Sequence, residues 1–336
     1  MTSPRRSAPP PLPKVMRTMA PHLRSASLAL ALALCLGACS TGSGTSTTGA
    51  SPGAAEPIKV GFITKFPVDF YDTMVDAVKT WNRGHPDVEV LFGQGKSGTD
   101  DEGETAQIES MLAKGVKAIA ITPTSPNLQN VLQKAVDAGV KVVLVDNDIP
   151  GWAGKSSVVA TDNLAGGKLA GAWLAERVKP GSTIAVLQGR LGNPSLDDRV
   201  TGMLSTLGDG VTVVSKPATD CDQTKGLNAA QDILAAHPGI AAIYGACGPP
   251  ILGALQAVKS AGKKPGELVL VGFDASPGEL KAIAAGEVAA SVAQFPAKMG
   301  SIGIETAVAA ARGQTVQAII DTGTEMVTKE NVAGFQ

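Results

Sequence analysis

From Ile58 onward, short apolar runs alternate with segments whose apolar residues recur at helical spacing. The expected strands are 58–63, 88–92, 117–121, 141–145, 183–187, 211–215, 240–244, 268–272 and 288–293, and the expected helices are 70–81, 104–114, 128–138, 164–178, 196–207, 224–236, 251–261, 277–285 and 297–311. Strands that are apolar almost throughout and alternate with helices predict parallel sheets covered on both faces. Since there are more strand–helix units than a single sheet usually contains, we expect an α/β protein with two doubly wound parallel-sheet lobes.

Polar residues lie within three positions of the ends of several of these strands. They are Thr122, Asp146, Cys247, Asp274 and Gln294. Ligands of open α/β sheets bind beyond the carboxyl ends of the strands, which is where these side chains should lie. A polar residue at such a position can instead cap the following helix. Because the set recurs in both expected lobes, a shared ligand-binding cleft accounts for it better.

The first 57 residues have a different character. Several Arg and Lys residues precede an apolar run at 27–36, which is too short to span a bilayer comfortably and ends in small residues, as a signal peptide does. The sequence Leu36-Gly-Ala-Cys39 resembles the lipobox of bacterial lipoproteins, in which the cysteine is lipidated. The alternative is an ordinary signal peptide with an incidental cysteine, and Met1, Met16 and Met19 are all possible starts.

We therefore expect a lipoprotein signal peptide at 1–38 and lipidation of Cys39. Residues 39–57 are mostly Ser, Thr, Gly, Ala and Pro, a composition typical of a flexible tether. These features predict an exported protein, lipid-anchored to the outer face of the cytoplasmic membrane.

Charge and motifs argue against several other classes of function. The 29 Lys and Arg nearly balance the 30 Asp and Glu, so no global field would attract nucleic acid. Gly93-Gln-Gly-Lys-Ser-Gly98 matches a dinucleotide fingerprint, but it follows the second strand and precedes the acidic run Asp100-Asp-Glu102, which disfavours a pyrophosphate. With neither metal-ligand spacing nor a nucleophile elbow, we expect no metal, no cofactor and no enzyme activity.

Several stretches in a fixed order resemble the ribose-type family of periplasmic sugar-binding proteins, which is related to the effector domains of LacI-type repressors. They are Thr161-Asp-Asn-Leu-Ala-Gly-Gly-Lys-Leu-Ala170, Thr224-Lys-Gly-Leu-Asn228, Leu252-Gly-Ala-Leu255, Val271-Gly-Phe-Asp274 and Ala293-Gln-Phe-Pro296. The resemblance implies a type I periplasmic binding protein fold, with lobes joined by crossovers near Thr161, Gln294 and Gly323. The N-terminal lobe would comprise 58–160 plus 295–323, and the C-terminal lobe 161–294 plus 324–336.

The resemblance also implies a set of ligand contacts. Phe70 and Tyr71 match the aromatics that sandwich the sugar, and ordinary helix core is the alternative for both. Asp146, Asn147, Asp274 and Gln294 match the groups that hold its hydroxyls. Apolar ring faces suit aromatic side chains, and a hydroxyl rim suits carboxylates and amides.

The sequence departs from the ribose-type pattern at several of these positions. Asp197 stands where the family pattern has an arginine that binds the sugar, and Arg199 lies two residues further on. Asp69, with Lys65 nearby, changes the start of the first helix. Cys221 and Cys247 replace an aromatic and an amide. With Asp146, Asp148, Asp197 and Asp274 offset by only Lys65 and Arg199, the sequence predicts a preference for neutral or cationic solutes over anions.

Cys221 and Cys247 follow consecutive strands, 211–215 and 240–244. Consecutive strands of a βαβ unit are usually neighbours, so the two thiols should meet at the edge of the cleft. In an oxidising compartment, with Cys39 lipidated, we expect them to form a disulfide; two free buried thiols are the alternative.

Together these features predict a monomeric substrate-binding lipoprotein of an ABC importer. It would capture a monosaccharide or related polyol and deliver it to membrane permease subunits. A receptor for a non-sugar solute such as an autoinducer, a nucleoside or an amine remains the alternative. A LacI-type repressor is excluded by the signal peptide, which stands where a helix-turn-helix would be.

Overall fold

The computed structural model describes residues 56–335, so the expected signal peptide, Cys39 and nearly all of the tether lie outside the described residues. The first part of the described chain is β1 (Ile58–Thr64), α1 (Asp69–Arg83), β2 (Val88–Gln94), α2 (Asp101–Ala113), β3 (Ala118–Ile121), α3 (Gln129–Asp137), β4 (Lys141–Val145) and β5 (Ser157–Ala160). A short 3-10 turn, Pro126–Leu128, precedes α3. Within this described part, no helix has the length and apolar character needed to cross a membrane.

The second part of the chain repeats the alternation. It consists of α4 (Asn163–Ala175), β6 (Thr183–Leu187), α5 (Pro194–Thr206), β7 (Thr212–Ser215), α6 (Gln223–Ala236), β8 (Ala242–Gly245), α7 (Gly248–Ser260), β9 (Val269–Asp274), α8 (Pro277–Ala284) and β10 (Ala290–Ala293). The chain ends with α9 (Pro296–Ala311), β11 (Ile319–Asp321), β12 (Glu325–Thr328) and a 3-10 turn, Val332–Gly334.

The strands form two six-stranded sheets, in the orders β11-β5-β4-β3-β1-β2 and β12-β10-β9-β8-β6-β7. All pairings are parallel except that between β10 and β12. Successive side chains of a strand point to opposite faces, and Ile119 and Ile121 of β3 enter one core cluster while Ala118 and Ala120 enter another. Burial on both faces confirms the predicted two-lobed, doubly wound α/β fold.

Three chain segments connect the two sheets. The first lies between β5 and α4, around Thr161, and the second between β10 and α9. Helix α9 packs against α1, β3 and β4 of the first sheet's lobe. The third segment, around Gly323, leads from β11 in the first sheet to β12 in the second. Each lobe is therefore built from non-contiguous parts of the chain.

The glycines of the 161–170 motif allow α4 and α5 to pack closely. A Cβ atom on Gly167 would lie 2.3 Å from the backbone oxygen of Arg199, and one on Gly202 would lie 2.3 Å from the backbone oxygen of Leu164. A side chain at either glycine would separate the helices. This close approach fixes the position of α5, which carries Arg199 to the cleft, and of Asn193, the residue that caps the start of α5.

Sequence periodicity did not identify β5, β11 or β12. Strand β11 has three residues, of which two are apolar, and this run is too short to identify a strand from the sequence. Helix α2 begins at Asp101 rather than at 104, because Asp100 caps it by accepting a hydrogen bond from the Gly103 backbone N–H at 3.0 Å. The strands expected at 211–215 and 240–244 lie at Thr212–Ser215 and Ala242–Gly245.

Candidate functional site

A cavity of about 250 Å³ lies between the two lobes, where strands of both sheets end. This volume is below the roughly 300–1,000 Å³ typical of pockets for drug-sized ligands, so the cavity suits a smaller molecule. Most of the ligand contacts expected from the sequence line it. They are Lys65, Asp69, Phe70, Tyr71, Asp146, Asn147, Arg199, Cys247, Asp274 and Gln294.

Thr122 and Asp197 do not line this cavity. Thr122 is fully buried in the N-terminal lobe. Asp197 is exposed in the first turn of α5, where it accepts a hydrogen bond from the Gly192 backbone N–H at 3.1 Å. Asp148, also counted among the cleft charges, pairs with Lys155 instead. These three residues show that a polar side chain near the end of a strand or the start of a helix does not necessarily point into the cleft.

Asp146 belongs to a buried polar cluster at the end of β4. Its carboxylate accepts a hydrogen bond from the Tyr71 hydroxyl at 3.1 Å, and the Lys65 ammonium lies 3.8 Å away. Lys65 also donates to the Asn147 side-chain oxygen. Burial lowers the pKa of Lys65, and the Asp146 carboxylate opposes that shift. Burial and the same carboxylate raise the pKa of Tyr71, which keeps the phenol neutral.

Asp274 forms the corresponding cluster in the second lobe. It accepts hydrogen bonds from Arg199 at 3.1 Å, from the Gly248 backbone N–H at 3.0 Å and from Gln294 at 2.6 Å. Arg199 stacks over the Phe273 ring, with its central carbon 4.0 Å from the ring centroid. Burial raises the pKa of Asp274, and Arg199 is the main opposing influence. Each lobe thus contributes one carboxylate with little solvent exposure, 5% for Asp146 and 14% for Asp274, held next to a cation.

Neither aspartate caps the helix that follows it. Helix α4 is capped by Asp162 and α8 by Ser276. Both aspartates instead have positive backbone φ angles, 66° at Asp146 and 99° at Asp274. Such conformations cost free energy in non-glycine residues and are concentrated at functional sites. The helix-cap alternative therefore does not account for these two residues, although Asp274 does satisfy an N–H at the start of α7.

The cavity also includes residues that sequence reasoning missed. Phe66 packs edge-to-face on Tyr71, with ring centroids 5.4 Å apart, and Arg190 and Asn193 come from the loop after β6. Asn193 accepts a hydrogen bond from Asn147 of the other lobe at 3.3 Å. The aromatic at Phe66, next to Lys65, was a usable signal. Arg190 gave none, because its role depends on a contact with the opposite lobe.

Arg190 bridges the lobes at the Asp101 carboxylate, with nitrogen–oxygen distances of 3.1 and 3.4 Å. It also donates to the backbone oxygens of Gly98 and Thr124. Burial would raise the pKa of Asp101, but hydrogen bonds from Arg190, Thr124 and Ser125 dominate and lower it to about 2. This contact lies where the two lobes meet beside the cavity.

Cys221 and Cys247 are joined by a disulfide, with their Cα atoms 5.6 Å apart, and both line the cavity. The strands that precede them are not neighbours, because β6 lies between β7 and β8. The argument from adjacent strands was therefore wrong in its premise. The loops after β7 and β8 reach across the end of β6 and bring the two cysteines together.

Two carboxylates with little solvent exposure, aromatic side chains and a cavity between two lobes define a small-molecule binding protein. A family model described as a periplasmic binding protein domain matches residues 60–315. The chain therefore belongs to the periplasmic binding protein family.

Two curated relatives and one solved structure illustrate the similarity. The ribose import binding protein of Escherichia coli is 34% identical over 232 residues, which cover 68% of this chain and 76% of that protein. The D-ribose/D-allose-binding protein of Pseudomonas aeruginosa is 32% identical over 272 residues, or 77% and 85% of the two chains. An ABC transporter solute binding protein from Bacillus halodurans C-125 with bound myo-inositol matches with a TM-score of 0.79 at 25% identity, covering 84% of this chain and 98% of that one. The resemblance to ribose-type proteins is confirmed.

Proposed function

We propose that this protein is the substrate-binding component of an ABC importer. It captures a neutral monosaccharide or related polyol between its lobes and delivers it to membrane permease subunits without changing it chemically. The observation that carries the proposal is the cavity between the lobes, which is lined by Asp146 from one lobe and Asp274 from the other. Two relatives are named as ribose- or allose-binding proteins, and a similar solved structure contains bound myo-inositol. Both observations support the same ligand class.

The chemistry of the cavity suits such a ligand. Phe66 and Phe70 offer aromatic faces for the apolar faces of a ring or chain. Asp146, Asn147 and Gln294 offer acceptors and donors for hydroxyl groups, and the Gln294 side-chain oxygen is buried with no partner among the described residues. A cleft that closes over the ligand excludes water, which strengthens these hydrogen bonds.

We further propose that neutral ligands bind better than anionic ones. Four carboxylates line the cavity, those of Asp69, Asp146, Asp220 and Asp274. Lys65, Arg190 and Arg199 are the cations among the lining residues, and each already lies within 4 Å of a carboxylate. An added phosphate would therefore meet unfavourable charge in a desolvated cleft. Competition binding with D-ribose and D-ribose 5-phosphate decides the point, and equal affinity for both would refute the charge argument.

The membrane attachment belongs to the same proposal. Lipidation of Cys39, a tether at 39–57 and a monomeric body would hold the binding lobes close to the permease on the outer face of the cytoplasmic membrane. The support is the lipobox-like sequence ending at Cys39. Mass spectrometry of the mature protein from its host, searching for a diacylated N-terminal cysteine, tests this part alone.

Ligand binding and closure can be tested together. Calorimetry against D-ribose, D-allose and myo-inositol identifies a ligand, and small-angle scattering with and without it measures compaction. We expect a smaller radius of gyration in the complex and unchanged ligand on recovery. Chemical turnover of the ligand, or an identical scattering curve with saturating ligand, would exclude the proposed mechanism.

A further inference from the structure

The chain makes an uncommon turn at the end of strand β9. Asp274 and the next residue, Ala275, both have positive φ angles, 99° and 47°. Non-glycine residues adopt such angles at a cost in free energy and keep them only where the surrounding structure holds them. The Asp274 side chain lines the cavity, and its direction depends on this turn. The groups that hold the turn therefore also influence the ligand site.

Two side chains that do not line the cavity, Ser291 and Glu279, hold the turn. The Ala275 backbone N–H donates to the Ser291 hydroxyl oxygen at 3.0 Å. The Ser276 backbone N–H donates to one Glu279 carboxylate oxygen at 2.9 Å. The Ser291 hydroxyl donates to the other Glu279 oxygen at 2.8 Å, which joins the two contacts into one network. The two backbone N–H groups that follow Asp274 thus both have side-chain acceptors.

The fold leaves room for this network next to the turn. Glu279 and Ser291 are fully buried, and Ser291 on β10 lies beside Gly272 of β9 in the sheet register. A Cβ atom on Gly272 would clash with one Glu279 oxygen, and a Cβ atom on Gly248 would clash with the other. Since burying a carboxylate is costly, its hydrogen bonds to the turn indicate a role other than filling space.

Helix capping does not account for the whole network. Glu279 and Ser276 form the capping box at the start of α8, and that motif needs only these two residues. Ser291 belongs to another element, β10, and it contacts both Glu279 and the Ala275 N–H. The network therefore holds the turn at Asp274 as well as the helix that follows.

We infer that Glu279 and Ser291 are positioning residues for ligand binding, which act through Asp274. The inference rests on the proposed function, in which Asp274 contacts the ligand. Without the Ser291 hydroxyl, the Ala275 N–H would lose its acceptor, and the turn would relax away from its positive φ angles. We expect Ser291→Ala to lower ligand affinity about three- to tenfold, because the Asp274 carboxylate would no longer be held in place.

The first test is calorimetry with D-ribose, D-allose and myo-inositol on two serine variants. Ser157→Ala is the matched control and should leave affinity unchanged. Ser157 is a buried serine of strand β5 that does not line the cavity, and its hydroxyl has no partner among the described residues. If Ser291→Ala binds as tightly as Ser157→Ala, the inference is wrong while the proposed function stands. If no neutral sugar or polyol binds the unaltered protein, both are wrong.

A double-mutant cycle separates positioning from a general effect on the lobe. In an Asp274→Ala background no carboxylate remains to be positioned, so adding Ser291→Ala should change affinity less than about twofold. In an Asp146→Ala background Ser291→Ala should keep its full effect. An equal loss in the two backgrounds would contradict action through Asp274. Where the Asp274→Ala protein binds too weakly to measure, the single variants decide.

Glu279 supplies a second set of variants, which also serves if Ser291→Ala does not fold. Glu279→Ala removes both acceptor oxygens next to the turn and should weaken binding at least as much as Ser291→Ala. Glu279→Gln keeps one oxygen that can accept from the Ser276 N–H, and it should recover part of the affinity that Glu279→Ala loses. Glu279→Ala protein that binds as tightly as the unaltered protein would overturn the inference.

Discussion

Asp146 and Asp274 combine a carboxylate that binds neighbouring donors with a backbone conformation that non-glycine residues rarely adopt. Positive φ at both positions turns the chain sharply as it leaves the sheet. The turn brings each side chain back over the strand end, where Tyr71 and Lys65 contact one and Arg199 and Gln294 contact the other. The conformational cost is offset by these charge-assisted contacts.

Removing either carboxylate should weaken ligand binding. We expect Asp146→Ala and Asp274→Ala each to lower affinity roughly ten- to a hundredfold, because ligand hydroxyls would lose a charged acceptor. Calorimetry with the ligand identified for the unaltered protein measures the change. Asp209→Ala, at an exposed position outside the cavity, is the control and should bind normally. Normal affinity in both site variants would show that these aspartates serve the fold alone.

Glu279 should make stability depend on pH. It is fully buried, accepts hydrogen bonds from Ser276 and Ser291, and burial next to Asp274 raises its pKa from 4.5 to about 8. Between those two values the folded state binds the proton more tightly than the unfolded state. Stability from this group is therefore greatest below pH 4.5 and declines as pH rises to about 8.

Glu279→Gln removes that titration while keeping the shape of the side chain. We expect the free energy of unfolding of the variant, minus that of the unaltered protein, to increase by about 1–3 kcal/mol as the pH is raised from mildly acidic to mildly basic. Urea denaturation at both conditions gives the difference, with Glu305→Gln on the exposed side of α9 as the control. A difference that does not vary with pH would mean that Glu279 is ionised throughout.

Sequence periodicity predicts the helices and strands that are buried but misses short strands at the edges of the sheets. Strand β3 is apolar throughout, β4 is apolar after Lys141, and both were predicted, whereas β11, a short edge strand, was not. The same distinction holds for the site. Asp146 and Asp274 follow buried strands and could be located, but Arg190 lies in a loop and acts on the opposite lobe. Contacts between the lobes produce no periodic pattern in the sequence, so periodicity cannot predict them.

The contact between α2 and the loop after β6 should slow ligand release. Arg190→Ala removes the bridge to Asp101, and we expect affinity to fall about three- to tenfold, mainly through faster dissociation. Since the pKa of Asp101 is about 2, the bridge remains charged at any pH well above that value and is lost only in strong acid. Stopped-flow measurement of the dissociation rate checks this effect.

Arg83→Ala provides a matched loss of charge at an exposed position of α1. It should leave the dissociation rate unchanged. An Arg190→Ala protein that releases ligand no faster than Arg83→Ala would show that the bridge does not hold the lobes together.

Within the whole molecule, the disulfide connects two loops of the same lobe and does not cross the hinge. It closes a loop between Cys221 and Cys247, which are separated by 26 positions in the sequence. Lobe motion therefore remains possible while one wall of the cavity is fixed. The three connections between the lobes are the places where the proposed closure would change the backbone.

Replacing both cysteines by serine should destabilise the C-terminal lobe. In the chain-entropy description, a loop of this size contributes about 3 kcal/mol to stability. Urea denaturation of the double variant and of the oxidised protein gives the difference, and reduced, alkylated protein should resemble the variant. Equal midpoints for all three would show that the bond adds no stability. Mass spectrometry of non-reduced protein from its host establishes whether the bond forms there; two alkylated thiols would exclude it.

The return of α9 and β11 to the first lobe has a consequence for biosynthesis. A nascent chain emerges from its N-terminus, so β1 to β5 are available long before the helix that covers one face of their sheet. A chain stopped after Ala293 would leave the apolar face formed by Val60, Phe62 and Val143 without α9. The second sheet likewise lacks β12 until Thr328 has emerged. Neither lobe can complete its sheet and core until translation is almost finished.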